Sequence, residues 1–437
     1  MRTRRPARLA IVRADLVAGG AALGLIALAA VAGAALYLAG RPVHASSAPF
    51  TGRWLPHLGP GTPLALAVAT AVVAYGPRLA AALPWRRLLA VGYATSAAWI
   101  VALALVDGWS RGLAGRLTTD HEYLSEVAGV TGVTAFLRGF ADRIVDFQPD
   151  SWSTHVSGHP PGALLVFVGL DRIGLGGGGW AAVVCVAAGA LCSVAVPVTI
   201  RALGDESAAR AAVPFVALFP GAVWIGVSAD GLFAGFAAAG LALLALALTG
   251  RRVGAAVGAG LLLGGCLYLS YGLVLLVVPA AAVVVLATRA WRILAVAIGA
   301  AAVVAAAFTL GGFWWLEGYQ LVTVRYYQGV ASVRPYAYWV WANLALLVAC
   351  AGPAAAVILR RARRWRPVAV LPVAALLAIL VADVSGYSKA EVERIWLPFA
   401  VWLMAGAALI PAPGRRFWLA VQATVALLVN HLLLTTW

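Results

Sequence analysis

The feature that most constrains this chain is a series of apolar runs, each about as long as a bilayer is thick. Of the 437 residues, 63% are hydrophobic and only 11% are charged. A soluble domain has about 45–50% apolar and about 25% charged residues. A membrane helix needs about 20 consecutive apolar residues, and the sequence has room for roughly a dozen such runs. We therefore exclude a water-soluble enzyme and predict an all-α polytopic membrane protein.

The first apolar run raises the question of a cleaved signal peptide. It extends from about Leu16 to Leu38 and follows five arginines between Arg2 and Arg13. The apolar region of a signal peptide has about 7–15 residues, so the length of this run favours an uncleaved first span. Cleavage near Val43-His44-Ala45 is the alternative.

The net charge of +16 indicates how the chain is oriented. In a soluble protein such an excess would suggest nucleic acid, but here the basic residues recur in short clusters between apolar runs. Cytoplasmic loops carry the excess of Lys and Arg. We therefore predict that the clusters are cytoplasmic and expect no nucleic-acid partner. They are Arg86-Arg87, Arg201 to Arg210, Arg251-Arg252, Arg289 with Arg292, Arg360 to Arg366, and Arg415-Arg416.

Clusters on the same side must be separated by an even number of crossings. This requirement is met if the stretch 159–174 does not cross the membrane. The stretch begins His-Pro-Pro-Gly and contains Asp171 and Arg172, so we predict a half-helix or membrane-edge helix there. About 13 spans of sufficient length then remain, with a cytoplasmic N-terminus and an external C-terminus. They lie near 16–38, 63–83, 88–106, 180–200, 253–270, 271–288, 293–313, 340–359, 367–385, 395–411 and 417–436, with two more between Arg201 and Arg251.

This topology divides the chain into three segments and assigns most of the acidic residues to one side. The segments are a three-span unit over 1–107, an outer loop with short membrane-edge helices over 108–178, and the remaining bundle over 179–437. No separate soluble domain is expected. All of the 16 acids except Asp15, Asp205 and Glu206 fall on the outer side, so we expect the chemistry there, at the surface of a plasma membrane.

The outer loop offers the clearest candidates for catalysis. Apolar residues from Val127 to Phe140 recur at helical spacing and predict a membrane-edge helix over 121–140. Asp120 would precede that helix, either as its N-cap or as a general base that meets a lipid-linked substrate. Asp120, His121 and Glu122 could also hold a divalent cation, although two carboxylates one residue apart are a weak signal.

The order of motifs resembles the GT-C superfamily of membrane glycosyltransferases, especially the branch of protein O-mannosyltransferases and lipid A aminoarabinose transferases. The resemblance covers about 115–250 and, more loosely, the outer segment 393–396. In three respects the chain is expected to depart from the family: His121 splits the acidic pair, two additional spans precede the motif loop, and no large soluble C-terminal domain is expected. The matching elements are Asp120-His121-Glu122-Tyr123, His159-Pro160-Pro161, Arg201-Ala202-Leu203-Gly204, Pro220 with Trp224, Ser228-Ala229-Asp230 and Glu393-Arg394-Ile395-Trp396.

The resemblance implies an extracytoplasmic transfer of a sugar from a polyprenyl-phosphate donor to a protein, lipid or glycan acceptor, with inversion at the anomeric carbon. Asp120 would be the base, and Glu122 would assist it or hold a metal. Which of the two carboxylates is the base stays open. The substrate-binding residues implied are Tyr123, His155, His159, Asp230, Lys389, Glu393 and Arg394.

Several structural alternatives accompany these roles. His159 could serve only the Pro-Pro turn, Asp230 could be a helix N-cap, and Glu391 and Glu393 could merely pair with Lys389 and Arg394. The outer aromatic residues between 314 and 341 could stack on sugars, but an interfacial aromatic belt is the simpler interpretation. The competing function is a transporter or flippase of lipid-linked or small solutes. We disfavour it because the predicted spans carry no charged residue near their centres.

Overall fold

The architecture is all-α, as predicted. The computed structural model describes residues 12–287, 290–362 and 367–436. The helices of these ranges are α1 (Arg13–Leu38), α2 (Thr62–Ala82), α3 (Trp85–Ala104), α4 (Leu124–Val127), α5 (Val133–Gly139), α6 (Thr154–Gly158), α7 (Gly162–Arg172), α8 (Gly178–Ala190), α9 (Cys192–Ala202), α10 (Glu206–Ala217), α11 (Ala222–Ile225), α12 (Ala229–Gly250), α13 (Val253–Cys266), α14 (Val277–Leu286), α15 (Trp291–Gly311), α16 (Trp315–Gln328), α17 (Tyr336–Ala351), α18 (Pro353–Arg361), α19 (Pro367–Val384), α20 (Val392–Ile395), α21 (Leu397–Ala400) and α22 (Arg415–Leu432).

Short 3₁₀ or π segments and one small sheet complete the fold of the described ranges. Strand β1 (Gly52–Trp54) pairs antiparallel with strand β2 (Leu433–Thr435), so that Arg53 lies opposite Leu434. The short helical segments are Leu105–Asp107, Trp109–Ala114, Arg116–Thr118, Ala141–Arg143, Tyr271–Leu276, Val330–Ser332, Val401–Leu409 and Ala412–Gly414.

Six helical stretches of the described residues are long and apolar enough to cross a membrane, and a bent pair would make seven. In α15 only 11% of the most apolar window is buried inside the protein, and in α1 only 17%. Apolar surface of this extent is unfavourable in water and suits lipid. These helices are compatible with a membrane protein. The six stretches are α1, α2, Trp85–Asp107, Gly178–Ala202, α12 and α15.

The predicted count of about 13 spans is not confirmed. Several predicted spans correspond to apolar helices of only 10–17 residues, namely Val253–Cys266, Tyr271–Leu286, Val368–Val384 and Leu397–Leu409. At 1.5 Å per residue, 17 residues cover about 26 Å, which is short of a hydrocarbon core of about 30 Å.

The predicted span over 340–359 corresponds to the bent pair α17 and α18, between which the chain turns by 101°. Gly352 stands at the corner with φ +81°, a conformation that costs glycine little and other residues much. Pro353 follows as the first residue of α18, where its missing N–H would have been unpaired in any case. The two residues together end one helix and start the next in another direction.

The stretch predicted not to cross is a short helix. α7 has eleven residues and is therefore about 16 Å long, too short for a bilayer. Pro160 and Pro161 precede it, and Gly174 follows at φ +79°. By contrast, the continuous helix predicted over 121–140 is wrong. The structure has α4 and α5 there, separated by a segment that contains Gly129 and Gly132, residues that weaken a helix interior.

α12 is the central helix and fixes one end of the candidate site. It packs against α8, α9, α13 and α21, and 78% of its most apolar window is buried. Its N-cap is Ser228, whose side chain accepts a hydrogen bond from the backbone N–H of Gly231 at 3.2 Å. The cap places Asp230 in the first turn, at the edge of the core.

The two ends of the bundle carry different polar structures. At one end Asp15 is buried in an ion pair with Arg360 and Arg361, which joins α1 to α18. At the other end Asp107 binds Arg116 at 2.8 Å, and Arg116 also donates to the Thr435 carbonyl of β2 at 3.3 Å. The basic residues Arg2, Arg4, Arg5, Arg8, Arg289, Arg363, Arg364 and Arg366 of the predicted cytoplasmic clusters lie outside the described residues.

Candidate functional site

Glu122 and His155 form the first part of a buried polar cluster. Nδ1 of His155 lies 2.7 Å from Oε1 of Glu122. Both side chains are less than 10% exposed. His155 lies in α6, and its own backbone N–H donates to the His121 carbonyl at 3.0 Å. The second carboxylate oxygen of Glu122, Oε2, is buried and has no hydrogen-bond partner among the described residues. Glu122 is thus held by one oxygen and keeps the other available.

Tyr123 and His159 form the second part. Nδ1 of His159 lies 2.8 Å from the His155 carbonyl oxygen and 2.9 Å from the Tyr123 hydroxyl. A carbonyl can only accept, so Nδ1 carries the proton and Nε2 is the basic nitrogen. Burial lowers the pKa of His159. Burial and the carboxylates of Asp230 and Glu122 raise the pKa of Tyr123, so both rings are neutral near pH 7.

The third part is an ion pair between Asp230 and Arg394, which are 164 residues apart in the chain. Both side chains are less than 10% exposed. Because Ser228 caps α12, the predicted alternative of a capping role for Asp230 is wrong. Burial alone would lower the pKa of Arg394, but the carboxylates of Asp230, Glu391 and Glu122 outweigh it and raise that pKa. Glu122 and Tyr123 also contribute to this raised pKa, so they are close enough to interact electrostatically with Arg394.

Arg334 and Lys389 continue the cluster towards the surface. Arg334 is buried and lies 3.2 Å from Glu391, which in turn lies 3.7 Å from Arg394. Lys389 donates from Nζ to the Ala331 carbonyl at 3.0 Å and lies over the ring of Tyr327. Sequence reasoning missed Arg334. Its only local signal was a cation directly before Pro335 and the start of an outer helix.

Glu393 is oriented differently from its neighbours. The prediction that it pairs with Lys389 or Arg394 is wrong for the described structure, in which Glu391 makes the ion pairs instead. Glu393 is 1% exposed, and its Oε2 has no hydrogen-bond partner among the residues described. Glu393 lies in the short helix α20, outside the long apolar helices. Burial raises the pKa of Glu393 to about 8, so the side chain is neutral at pH 7.

The pKa of Glu393 predicts a pH-dependent stability. The pKa of Glu393 is about 8 in the folded state, whereas its ordinary value is 4.5. Between these two pH values the folded state binds one proton more than the unfolded state. The free energy of unfolding therefore falls as pH rises from 4.5 to 8. Glu393→Gln stays neutral. We expect it to melt at a higher temperature than the wild type at pH 9 and at a similar temperature at pH 5, as measured by tryptophan fluorescence. Glu391→Gln is the control, since it removes ion pairs and should gain nothing at pH 9.

Asp120 lies apart from the cluster. Its side chain is exposed, as is that of His121, while Glu122 and Tyr123 are buried. Tyr123, not Asp120, is the residue that precedes α4, so a capping role for Asp120 is not observed. No group of three or more His, Cys, Asp or Glu side chains in the described ranges is arranged to hold a metal ion.

Other acids of the outer loop maintain its shape. Glu126 accepts from the Ser153 backbone N–H at 2.8 Å, and Asp146 binds Arg325 of α16 at 2.5 Å. Arg116, which sequence reasoning also missed, has a buried side chain that binds Asp107, and burial lowers its pKa to about 10. The loop is therefore anchored on both sides of Glu122.

Some of the predicted aromatic residues are buried and others are exposed. Tyr338 and Trp339 are buried and donate to the carbonyls of Ala29 and Val43, at 2.9 and 3.1 Å, so they serve packing. Trp314, Tyr319, Tyr327 and Tyr336 are between 37% and 53% exposed, an arrangement that suits an interfacial belt.

A separate cavity of about 410 Å³ lies at the far end of α2 and contains none of the predicted site residues. Its polar lining consists of Glu206, Ser207, Arg210 and Arg415. Glu206 already pairs with Arg210 at 2.8 Å. We therefore regard the buried cluster as the candidate site.

Comparison with known proteins gives no further assignment. No protein-family model matches the chain, and no curated protein matches it in sequence.

Proposed function

We propose that this protein is a membrane glycosyltransferase of the GT-C type, which moves a sugar from a polyprenyl-phosphate donor to an acceptor hydroxyl. The observation that carries the proposal is the state of Glu122. One of its oxygens is held by His155, the other has no hydrogen-bond partner among the described residues, and Arg394 of the buried Asp230–Arg394 pair interacts with it electrostatically. A positioned carboxylate next to a cation is what this transfer requires.

In the proposed reaction Glu122 is the general base. It takes the proton of the acceptor hydroxyl while the acceptor oxygen forms a bond to the anomeric carbon. The bond between that carbon and the phosphate oxygen breaks, and polyprenyl phosphate leaves with the electron pair. Attack from the face opposite the phosphate inverts the anomeric centre. Oε2 is the proposed proton acceptor, because Oε1 is already held by His155.

Arg394 and Lys389 are the proposed ligands of the donor phosphate. Arginine binds phosphate through several donors in a fixed plane, and cations near the leaving group stabilise the charge that develops there. Asp230 and Glu391 would hold Arg394 in place until the donor binds. His159 and Tyr123 would line the space between the base and this cation.

We further propose that the cluster faces away from the cytoplasm. Asp230 is at the start of α12, and the basic pair Arg251-Arg252 follows its end. The 22 residues of α12 correspond to about 33 Å, a full membrane thickness. If the basic pair is cytoplasmic, the cluster lies at the outer surface.

Purified protein in liposomes with radiolabelled polyprenyl-phosphate mannose or glucose tests the proposal. Membranes of the expression host supply the acceptor. We expect labelled product and free polyprenyl phosphate in equal amounts. If no donor gives product, while a labelled lipid or solute crosses the liposome bilayer, the proposal is wrong and the protein is a transporter or flippase.

A further inference from the structure

The loop between α19 and α20 has an unfavourable backbone. Ala390 and Glu391 are consecutive residues with φ +70° and φ +61°. This left-handed region is rare for residues other than glycine, and two such residues in a row persist only when the surroundings fix them. Lys389 directly precedes them. Something outside the loop must therefore hold it.

Asn343 of α17 is the main holder. It is 1% exposed, and its Nδ2 donates to the Ser388 carbonyl at 2.7 Å and to Oδ1 of Asp383 at 2.8 Å. Its Oδ1 accepts from the backbone N–H of Ala390 at 3.2 Å. The Asn343 amide thus binds the loop on both sides of Lys389.

Two other side chains bind the backbone of Lys389 itself. Its N–H donates to the Tyr326 hydroxyl at 2.9 Å, and its carbonyl accepts from Arg334 at 2.8 Å. Every backbone polar group from the Ser388 carbonyl to the Ala390 N–H is therefore bonded to a side chain of another helix or loop. The arrangement fixes both the position of Lys389 and the direction of Glu391.

We propose that Asn343 is a positioning residue of the candidate site. By holding residues 388–390 it keeps Lys389 and Glu391 in place and, through Glu391, the guanidinium of Arg394. This inference rests on the proposed function, because the groups it positions are the proposed phosphate ligands. Asp383 completes the arrangement: its carboxylate accepts from Nδ2, which turns Oδ1 of Asn343 towards Ala390.

The chain offers a direct probe of this loop, because Lys389 is its only lysine. A protease specific for lysine therefore cuts at one place, provided that the purification tag lacks lysine. We expect slow cleavage after Lys389 in the wild type. Asn343→Leu, which is similar in size and has no hydrogen-bonding group, should be cleaved about tenfold faster or more, since three bonds to the loop and Asp383 are lost. Asn430→Leu is the matched control, because Asn430 donates to the Leu103 carbonyl at 3.1 Å and makes no hydrogen bond to residues 383–391 among those described.

A double variant separates positioning from simple stabilisation of the bundle. Asn343→Asp with Asp383→Asn exchanges the two groups, so that the bond between α17 and α19 is retained and the donor to the Ser388 carbonyl is lost. We expect this double variant to melt near the wild-type temperature and to be cleaved by the protease as fast as Asn343→Leu. Its KM for the polyprenyl-phosphate sugar should be about tenfold higher than that of the wild type. We also expect kcat to change less than KM.

The outcomes distinguish failure of this inference from failure of the proposed function. If Asn343→Leu and the double variant are cleaved at the wild-type rate while folded, Asn343 does not hold the loop. If they are cleaved faster but KM is unchanged, the loop does not position the site. If the wild type transfers no sugar, the proposed function is wrong and with it the role of the loop in donor binding, while the cleavage rates still report on the loop itself.

Discussion

Glu122→Gln should abolish most of the sugar transfer, whereas Asp120→Asn should leave it nearly intact. Glutamine keeps the size of Glu122 and can still contact His155, but it has no basic oxygen. A general base contributes about 10²–10⁴-fold to a rate, so we expect kcat for Glu122→Gln to fall by that factor, with a smaller change in KM. The measurement is the steady-state rate of polyprenyl phosphate release.

Asp120→Asn is the matched control, because Asp120 is the neighbouring acid of the same motif and its side chain is exposed. Both variants should show the melting profile of the wild type at pH 7. The opposite result, with Asp120→Asn inactive and Glu122→Gln active, would assign the base to Asp120. Equal activity in both variants would exclude either carboxylate as the base.

The second large effect concerns the Asp230–Arg394 pair. Removing one partner leaves a buried charge without its main counter-ion, which costs about 3–5 kcal/mol in proteins. We expect Asp230→Asn and Arg394→Gln each to lower the melting temperature clearly. The double variant should be more stable than the sum of the single effects predicts, since no uncompensated charge of the pair remains. Thermal melts of the four proteins measure the coupling.

The same four proteins also separate stability from donor binding. The double variant should recover much of the stability and none of the donor affinity, because the proposed phosphate ligand is still missing. As a control, Glu206→Gln removes an ion pair with Arg201 and Arg210 in which the carboxylate side chain is 43% exposed. Exposed pairs contribute little, so its melting temperature should hardly change. Additive effects at Asp230 and Arg394 would contradict a direct ion pair.

The fold class and the short α7 helix could be predicted from the sequence, because both depend on local patterns. Apolar length identifies helices that suit a bilayer. Charge parity together with His159-Pro160-Pro161 predicted that the stretch 159–174 is a short helix, and α7 has eleven residues. The family resemblance assigned Glu122, Tyr123, His155 and His159 to one site, and the structure brings these four residues of the outer loop together.

The remaining features depend on contacts that no local pattern reports. The Asp230–Arg394 pair joins residues 164 positions apart, and Asn343 binds a loop more than 40 residues away. Hydrophobic spacing over 121–140 was helical, but Gly129 and Gly132 lie where α4 and α5 separate. Asp120 and Glu122 are both carboxylates of one motif, so the sequence does not indicate which is the base. The two differ in burial, since Asp120 is exposed and Glu122 is buried.

The pairing of β1 with β2 has a consequence for biosynthesis. The two strands are separated by every helix from α2 to α22, so the sheet forms only after the ribosome has made all of them. Closing so long a loop is entropically costly and slow. Until it closes, the Thr435 carbonyl cannot receive its hydrogen bond from Arg116. In a nascent chain every helix from α2 to α22 would therefore be complete before this hydrogen bond can form, so the outer-loop segment that contains Arg116 would be fixed only after the rest of the bundle exists.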